Sequence, residues 1–203
     1  MLKKVLVAVW FVLPLAAVVA YDYRPFVEAL LRGEQFGAGG RQSEWAVALQ
    51  RPPLENLHRV TGDLYRGAQP TADRMRRLDE MGVRTVVNLR RRYSDAELVA
   101  GTDLRAVDIH VNAAKPTEAQ VVEFLRIVTD PNCTPVYVHC QRGIDRTGMM
   151  CAAFRMLVCG WTRDDAIGEM THGPFGYDGV FQNVPRFLRG LDVERLRRQM
   201  ATR

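Results

Sequence analysis

The chain has 203 residues, with 28 Lys+Arg against 23 Asp+Glu, a formal net charge of +5 and 47% hydrophobic residues. That apolar content excludes a disordered polyelectrolyte and suffices for one compact domain of about 150 residues behind a leader. The positive balance suits an anionic substrate or an anionic membrane surface; the arginines are scattered with no aromatic-basic platform, which argues against nucleic acid as a partner.

In chain order, Lys3 and Lys4 precede an uninterrupted apolar run over 5–20, altered in character only by Pro14. The run is shorter than the roughly 20 residues of a spanning helix and fits a signal h-region or a marginal anchor. Val18-Val19-Ala20 offers a cleavage point, whereas Tyr21 and Tyr23 could serve as interfacial aromatics. Residues 1–22 are read as a signal peptide or single-pass membrane anchor, and the two lysines favour export of the domain beyond it. A free reactive thiol sits poorly in an oxidising compartment, so a cytoplasmic-facing anchor stands as the alternative. Residues 23–55 form a connecting region, with helical patterns at 26–31 and 45–49 around the flexible Gly37-Ala38-Gly39-Gly40, and Arg51-Pro52-Pro53 closes it.

The domain proper spans 56–203. Short strands are expected around 57–60 and 63–66, then a helix from Thr71 to Met81 and a buried strand at 85–89. A helical stretch at 94–100 and a strand at 104–111 come after it. A helix over 117–129 opens with a Thr-x-x-Gln capping box. The β-type run at 136–138 leads through a tight turn into the helical run 149–158. A capped helix at 162–171 comes next. In the final helix, 184–200, Leu188, Leu191 and Leu196 share a face while Arg189, Arg195, Arg197 and Arg198 stay in water. Such alternation implies an α/β fold with a central, mainly parallel twisted sheet flanked by helices. Ligands in such sheets sit at the carboxyl ends of strands, which places Arg90, Arg91 and Arg92 near the mouth with Lys115 and Arg142. Arg91 and Arg92 read as a solvated charge run; Arg90 is the candidate substrate contact.

The stretch with chemical content runs from Pro135 to Gly148: strand, tight turn with Cys140, then Arg146 opening a helix. Backbone N–H groups concentrated at a helix N-terminus make an anion site. Arg146 supplies a planar donor fork for two phosphate oxygens. In that positive field the thiol of Cys140 loses its proton readily and becomes a nucleophile. Gly143 lets the backbone curl around the anion. The competing reading of Cys140 is a small buried hydrophobe. That reading holds for Cys133, Cys151 and Cys159, and no metal site or cofactor is expected.

His139-Cys140-x5-Arg146-Thr147 resembles the signature loop of the cysteine-dependent protein tyrosine and dual-specificity phosphatases. Leu64-Tyr65-Arg66-Gly67-Ala68-Gln69-Pro70 and Asn88-Leu89-Arg90 add a resemblance to the small atypical dual-specificity phosphatases of bacteria, plants and fungi. The resemblance implies a phosphotyrosine-phosphatase-like fold and a phosphocysteine intermediate on Cys140. Arg146 would clamp the phosphoryl group, and Gln141, Arg142, Gly143, Ile144 and Asp145 would surround it with backbone donors. Thr147 would assist departure of the sulfur, and His139 would orient the loop. The substrate it implies is a phosphotyrosine or phosphoserine protein, or an inositol phosphate or phosphoinositide.

One family feature is missing. The loop at 112–118, where an aspartate commonly protonates the leaving oxygen, reads Asn-Ala-Ala-Lys-Pro-Thr-Glu. Asp145, Asp108 and Glu118 are the substitutes. Asp145 is favoured, its Asp-Arg-Thr order resembling the myotubularin lipid phosphatases, with a loop-bracing role as its alternative. Absence of the usual acid also motivates a phosphate-binding module without turnover, although binding alone would not need Cys140. Arsenate reduction and sulfur transfer use similar loops but lack support here: no resolving cysteine is evident, and the Arg-Thr-Gly continuation is not typical of sulfur transfer. The sequence leaves the oligomeric state open.

Overall fold

Six strands form one sheet in the order β1-β2-β3-β6-β4-β5: β1 (Val47–Ala48), β2 (His58–Arg59), β3 (Leu64–Gly67), β4 (Thr85–Asn88), β5 (Arg105–Asp108) and β6 (Val136–His139). Strands β3, β6, β4 and β5 run parallel, and β1 and β2 add on antiparallel beyond β3. The computed structural model describes residues 41–50 and 54–201. The expected anchor at 1–22, the helical pattern at 26–31, the glycine break at 37–40 and Arg51-Pro52-Pro53 lie outside the described residues.

A parallel sheet must be covered on both faces, and the strand pleat shows how. Val136 and Val138 of β6 and Val87 of β4 enter the larger core cluster, while Tyr137 and Val86 enter the smaller one. The smaller cluster is closed by α1 (Ala72–Glu80), whose Met75 and Leu78 are spaced three apart and fully buried. The larger is built by α2 (Glu118–Val128), α3 (Asp145–Leu157), α4 (Arg163–His172), α5 (Asn183–Gly190) and α6 (Val193–Ala201). Helix α3 is buried on almost every side because α2, α4, α5 and α6 all pack against it. It is the axis on which the signature loop stands.

The capping box at the start of α2 is formed as the sequence implies: Gln120 N donates to Thr117 Oγ1 at 3.4 Å, and Thr117 N to Gln120 Oε1 at 3.0 Å. Thr162 caps α4 through Asp165 N at 3.1 Å. Thr71 occupies the corresponding position of α1, but its side chain makes no capping bond.

Four expectations need correction. Residues 96–100 form consecutive turns, with Asp95 O accepting from Leu98 N at 2.9 Å and Val99 N at 3.2 Å, and the Asp95 carboxylate is drawn inward to His139 and Arg90. Residues 45–49 carry β1 behind a 3-10 turn at Gln42–Glu44. The strand expected at 104–111 is ordered as β5 only over four residues. The single last helix is two: the chain breaks after Gly190, and Asp192 Oδ1 accepts from Arg195 N at 2.9 Å to start α6. Leu188, Leu191 and Leu196 are nonetheless all buried.

A buried ion pair ties these layers together. Arg155 of α3 meets Glu169 of α4 with Nε–Oε2 and NH2–Oε1 distances of 2.9 Å. Ala46 N donates to Glu169 Oε1 at 2.6 Å, and Arg155 NH2 to Glu44 O at 3.0 Å, so the pair also holds the segment leading into β1. Removing one partner would leave a buried, uncompensated charge. Glu169→Ala should therefore lower unfolding free energy by about 3–5 kcal/mol. Denaturant unfolding checks this, and a loss under about 1 kcal/mol would show that Arg155 finds water instead.

Candidate active site

Gly67, His139, Asn88 and Asp108 lie in register across β3, β6, β4 and β5 at the carboxyl edge of the sheet. Cys140 is the first residue beyond β6, and α3 begins at Asp145. Residues 141–144 turn in between, and the Gly143 N–H reaches the Cys140 sulfur on the inner side. That turns their carbonyls outward, and each outward carbonyl needs a donor.

One contact comes from the neighbouring His139, and the other three come from elsewhere in the chain. His139 Nδ1 lies 3.0 Å from Cys140 O, and Gln69 N donates to Gln141 O at 3.2 Å. Asn56 Nδ2 donates to Arg142 O at 3.0 Å, and Arg66 NH2 to Gly143 O at 2.8 Å. Arg66 is 1% exposed and stacks its guanidinium 3.7 Å from the centre of the Phe175 ring. Asn56 adopts a left-handed backbone, φ 54°, and its amide also reaches Phe175 O at 3.1 Å. The loop is braced from behind at four consecutive residues.

The curl itself depends on close backbone approach. Gly143 has φ +73°, and a Cβ there would lie 2.3 Å from Gly67 O. Gly67 is constrained in turn, because its own Cβ would lie 2.2 Å from the Tyr137 hydroxyl, which donates to Ala68 O at 2.6 Å. These two glycines form one contact.

Cys140 is 3% exposed. Burial is the largest single influence on its thiol and pushes the pKa up. It is outweighed by the Thr147 hydroxyl, the Arg146 charge and the backbone N–H groups of Thr147 and Gly143, so the net shift is downward. Thr147 Oγ1 is buried and falls outside strict hydrogen-bond geometry to any partner, yet it lies close enough to the sulfur to act on it. Cys151 and Cys159 make the contrast: burial drives both up to about 11. Among the described thiols these are poor nucleophiles at neutral pH, and Cys140 is the activated one.

Arg146 is half-buried and is oriented by donating NH1 to Leu89 O at 3.2 Å. His139 Nε2 lies 2.6 Å from Asp95 Oδ2, and Asp95 Oδ1 receives Arg90 NH2. This corrects the reading of Arg90. It is buried, its Nε and backbone N both donate to Asn88 Oδ1 at 2.9 Å, and its guanidinium is committed to Asp95 behind the loop instead of to the rim. Gln141 and Arg142 are exposed, whereas Gly143, Ile144 and Thr147 are buried.

Of the three carboxylates, Glu118 is paired with Arg195 and Asp108 accepts from Asn88 Nδ2 at 2.8 Å. Asp145 stands in the loop with its Oδ1 buried and without a hydrogen-bond partner. Burial first, and then the Asp178 carboxylate, raise its pKa. A carboxyl that keeps its proton at higher pH can donate it. Sequence reasoning missed Asp95, Asn56 and Asp178 altogether and assigned no role to Arg66, because all four act over long chain separations. Among the described residues no three His, Cys, Asp or Glu side chains converge as a metal site requires.

The N–H groups of Gly143 and Thr147, the Thr147 hydroxyl and the Arg146 guanidinium all favour negative charge at Cys140, a field that suits a tetrahedral oxyanion. A family model described as a dual-specificity-type (DSP-PTPase) phosphatase fused to NAD+ kinase matches residues 53–173. The dual specificity protein phosphatase TpbA of Pseudomonas aeruginosa is 33% identical over 165 residues, 81% of this chain and 74% of that protein. The crystal structure of a cysteine-to-serine form of TpbA with phosphotyrosine superposes with a TM-score of 0.71 at 32% identity, covering 81% of this chain and 100% of that one. Inositol diphosphatase DSP2 of Oryza sativa subsp. japonica is 27% identical over 135 residues, 63% of this chain and 65% of its own. The catalytic core of the Saccharomyces cerevisiae PP-IP phosphatase Siw14 shares the fold, with a TM-score of 0.65 at 22% identity over 73% of this chain and 93% of that core.

Because Gly143 cannot accept a Cβ without displacing Gly67, Gly143→Ala should open the ring of donors. Its dissociation constant for vanadate, measured by calorimetry, should rise by about tenfold or more. Unchanged affinity would mean that the curl tolerates a side chain.

Proposed function

The chain belongs to the cysteine-dependent dual-specificity phosphatase family and is a phosphatase, and from that premise we propose that Cys140 is its nucleophile and phosphorylated protein its substrate class. The observation that supports this most directly is the placement of buried Cys140 between the end of β6 and the start of α3, with the loop carbonyls of 141–143 braced from behind and Arg146 held beside it by Leu89 O; the net downward shift of its thiol agrees.

In the first half-reaction the Cys140 thiolate attacks phosphorus, an S–P bond forms and the ester P–O bond breaks. Arg146 and the loop N–H groups take up the charge on the equatorial oxygens, which changes most in the loose transition state. Asp145 gives its proton to the departing oxygen. In the second half-reaction water attacks the phosphocysteine, Asp145 accepts a proton, and the sulfur leaves as thiolate, eased by Thr147. His139, fixed between Cys140 O and Asp95, holds the start of the loop.

TpbA has been crystallised with phosphotyrosine, and it is the relative that this chain matches over the larger share. Inositol phosphates form the second reading, favoured by the +5 charge and by the likeness to a rice inositol diphosphatase. The apolar leader at 1–22 supports attachment to or export across a membrane, with the phosphatase domain on the far side. Accessibility of the domain to protease in intact cells and in lysed cells would test that topology.

Two outcomes are expected of the full chain in EDTA, assayed with an activated aryl phosphate and a phosphotyrosine peptide. Cys140→Ser should abolish turnover and keep vanadate affinity, while Arg146→Lys should lose both; an active Cys140→Ser protein would overturn the mechanism. The pH profile carries the second. Cys140 must be deprotonated, so the rate rises as pH climbs through its lowered pKa. Asp145 must be protonated, so the rate falls as pH climbs through its raised one. Asp145→Asn should remove the falling limb and slow poor leaving groups by about 10²–10⁴-fold, good ones much less. Equal slowing of both would make Asp145 a brace of the loop.

A further inference from the structure

Arg142 is the one basic residue between Cys140 and Arg146. Its side chain is 54% exposed, placed where it could reach a second phosphate on a substrate. It is already engaged. NH1 and NH2 both donate to Asp178 Oδ2, at 3.0 and 2.9 Å, and NH2 lies 3.7 Å from Asp145 Oδ2.

Asp178 is built to hold that position. Its Oδ1 accepts from Val180 N at 3.2 Å, closing a turn in the segment between α4 and α5. That segment is anchored at Phe175, whose ring packs on Arg66 and His58 and whose carbonyl receives Asn56 Nδ2. The Val180 N–H and Arg142 keep the Asp178 carboxylate ionised to lower pH than usual. The outer loop thus presents two carboxylates, Asp145 and Asp178, against one cation. Arg146, bound to Leu89 O, is left for the phosphoryl group itself. Next to this pair stands Val180, 68% exposed, and Tyr93, on the loop after β4, is 64% exposed. Arg91 and Arg92 are exposed beside Tyr93 and supply general positive charge at that end of the sheet.

Resting on the phosphatase reading above, we infer that Asp178 determines specificity: by neutralising Arg142 and facing the mouth with a carboxylate, it favours a single phosphate on an apolar carrier, such as a phosphotyrosine side chain, over an inositol polyphosphate. A second phosphate near the loop would meet the Asp178 carboxylate before it could pair with Arg142. The discrimination is electrostatic and partly exposed, so it weakens with salt.

The test is a ratio of affinities. Binding of phosphotyrosine and of myo-inositol hexakisphosphate is measured by calorimetry on the full-length Cys140→Ser protein, with and without Asp178→Asn. At low salt Asp178→Asn should shift the ratio toward the hexakisphosphate by about tenfold, and the shift should shrink at high salt. Adding Arg142→Ala should shrink it to the part that comes from losing the Asp178 charge alone, because no cation is then released. A shift of about threefold or less, a shift left at full size by Arg142→Ala, or loss of both ligands would each overturn the role of Asp178. Hydrolysis of an aryl phosphate by the Cys140 protein is measured in parallel. Its absence would overturn the phosphatase reading, while the affinity ratio would still decide the role of Asp178.

Discussion

A chain that points successive N–H groups at one anion must point the matching carbonyls away from it. Buried carbonyls without partners are costly, so the ring of donors exists only where outside donors meet those carbonyls. Here His139, Gln69, Asn56 and Arg66 each meet one of the carbonyls of residues 140–143. Three of the four lie in the stretch leading into and out of β3, the strand beside β6 in the sheet. Sheet order therefore has a chemical consequence: β3 must neighbour β6 for its flanks to brace the loop. The contact between Gly67 and Gly143 states the same constraint sterically, since two backbones can pass this closely only without side chains.

Behind the loop lies a second polar layer. Asn88, Arg90, Asp95 and His139 are all buried, yet each is hydrogen-bonded within the group. Asp95 bridges an arginine and a histidine, and Asn88 joins the layer to Asp108 of β5. A partly satisfied network at such depth would be worse than an apolar core, but a satisfied one fixes a single arrangement. This explains why 94–100 departs from a helix. The segment gives up regular backbone bonds so that Asp95 can reach under the sheet edge to His139.

The four cysteines show how little residue type says about reactivity. Cys133, Cys140 and Cys151 are all buried, and Cys159 is mostly so. Burial alone raises a thiol pKa, as it does for Cys151 and Cys159. Cys140 differs because its sulfur faces N–H groups, a hydroxyl and a guanidinium, all of which favour the anion. The same field acts on Asp145 in the opposite sense to a simple helix-terminus argument: burial and Asp178 outweigh Arg142 and Arg146 and hold its proton longer. One loop thus presents a group that readily loses its proton beside one that readily keeps it.

The alternation of apolar strands and capped helices determined the α/β class, the spacing of Cys140, Arg146 and Thr147 marked the turn between β6 and α3, and Thr117 with Gln120 determined where α2 starts. These are local matters, set by residues within a few positions of one another and therefore legible in the chain. The break at Gly190 and Asp192 was also local, but leucines buried on both sides of it mask it in the periodicity. The fate of Arg90, the loop-bracing donors, and the pairing of Arg142 with Asp178 were decided only by tertiary structure. Each joins residues brought together by sheet order and helix packing, and a charged side chain in sequence looks the same whether it will face water, a carboxylate or a carbonyl.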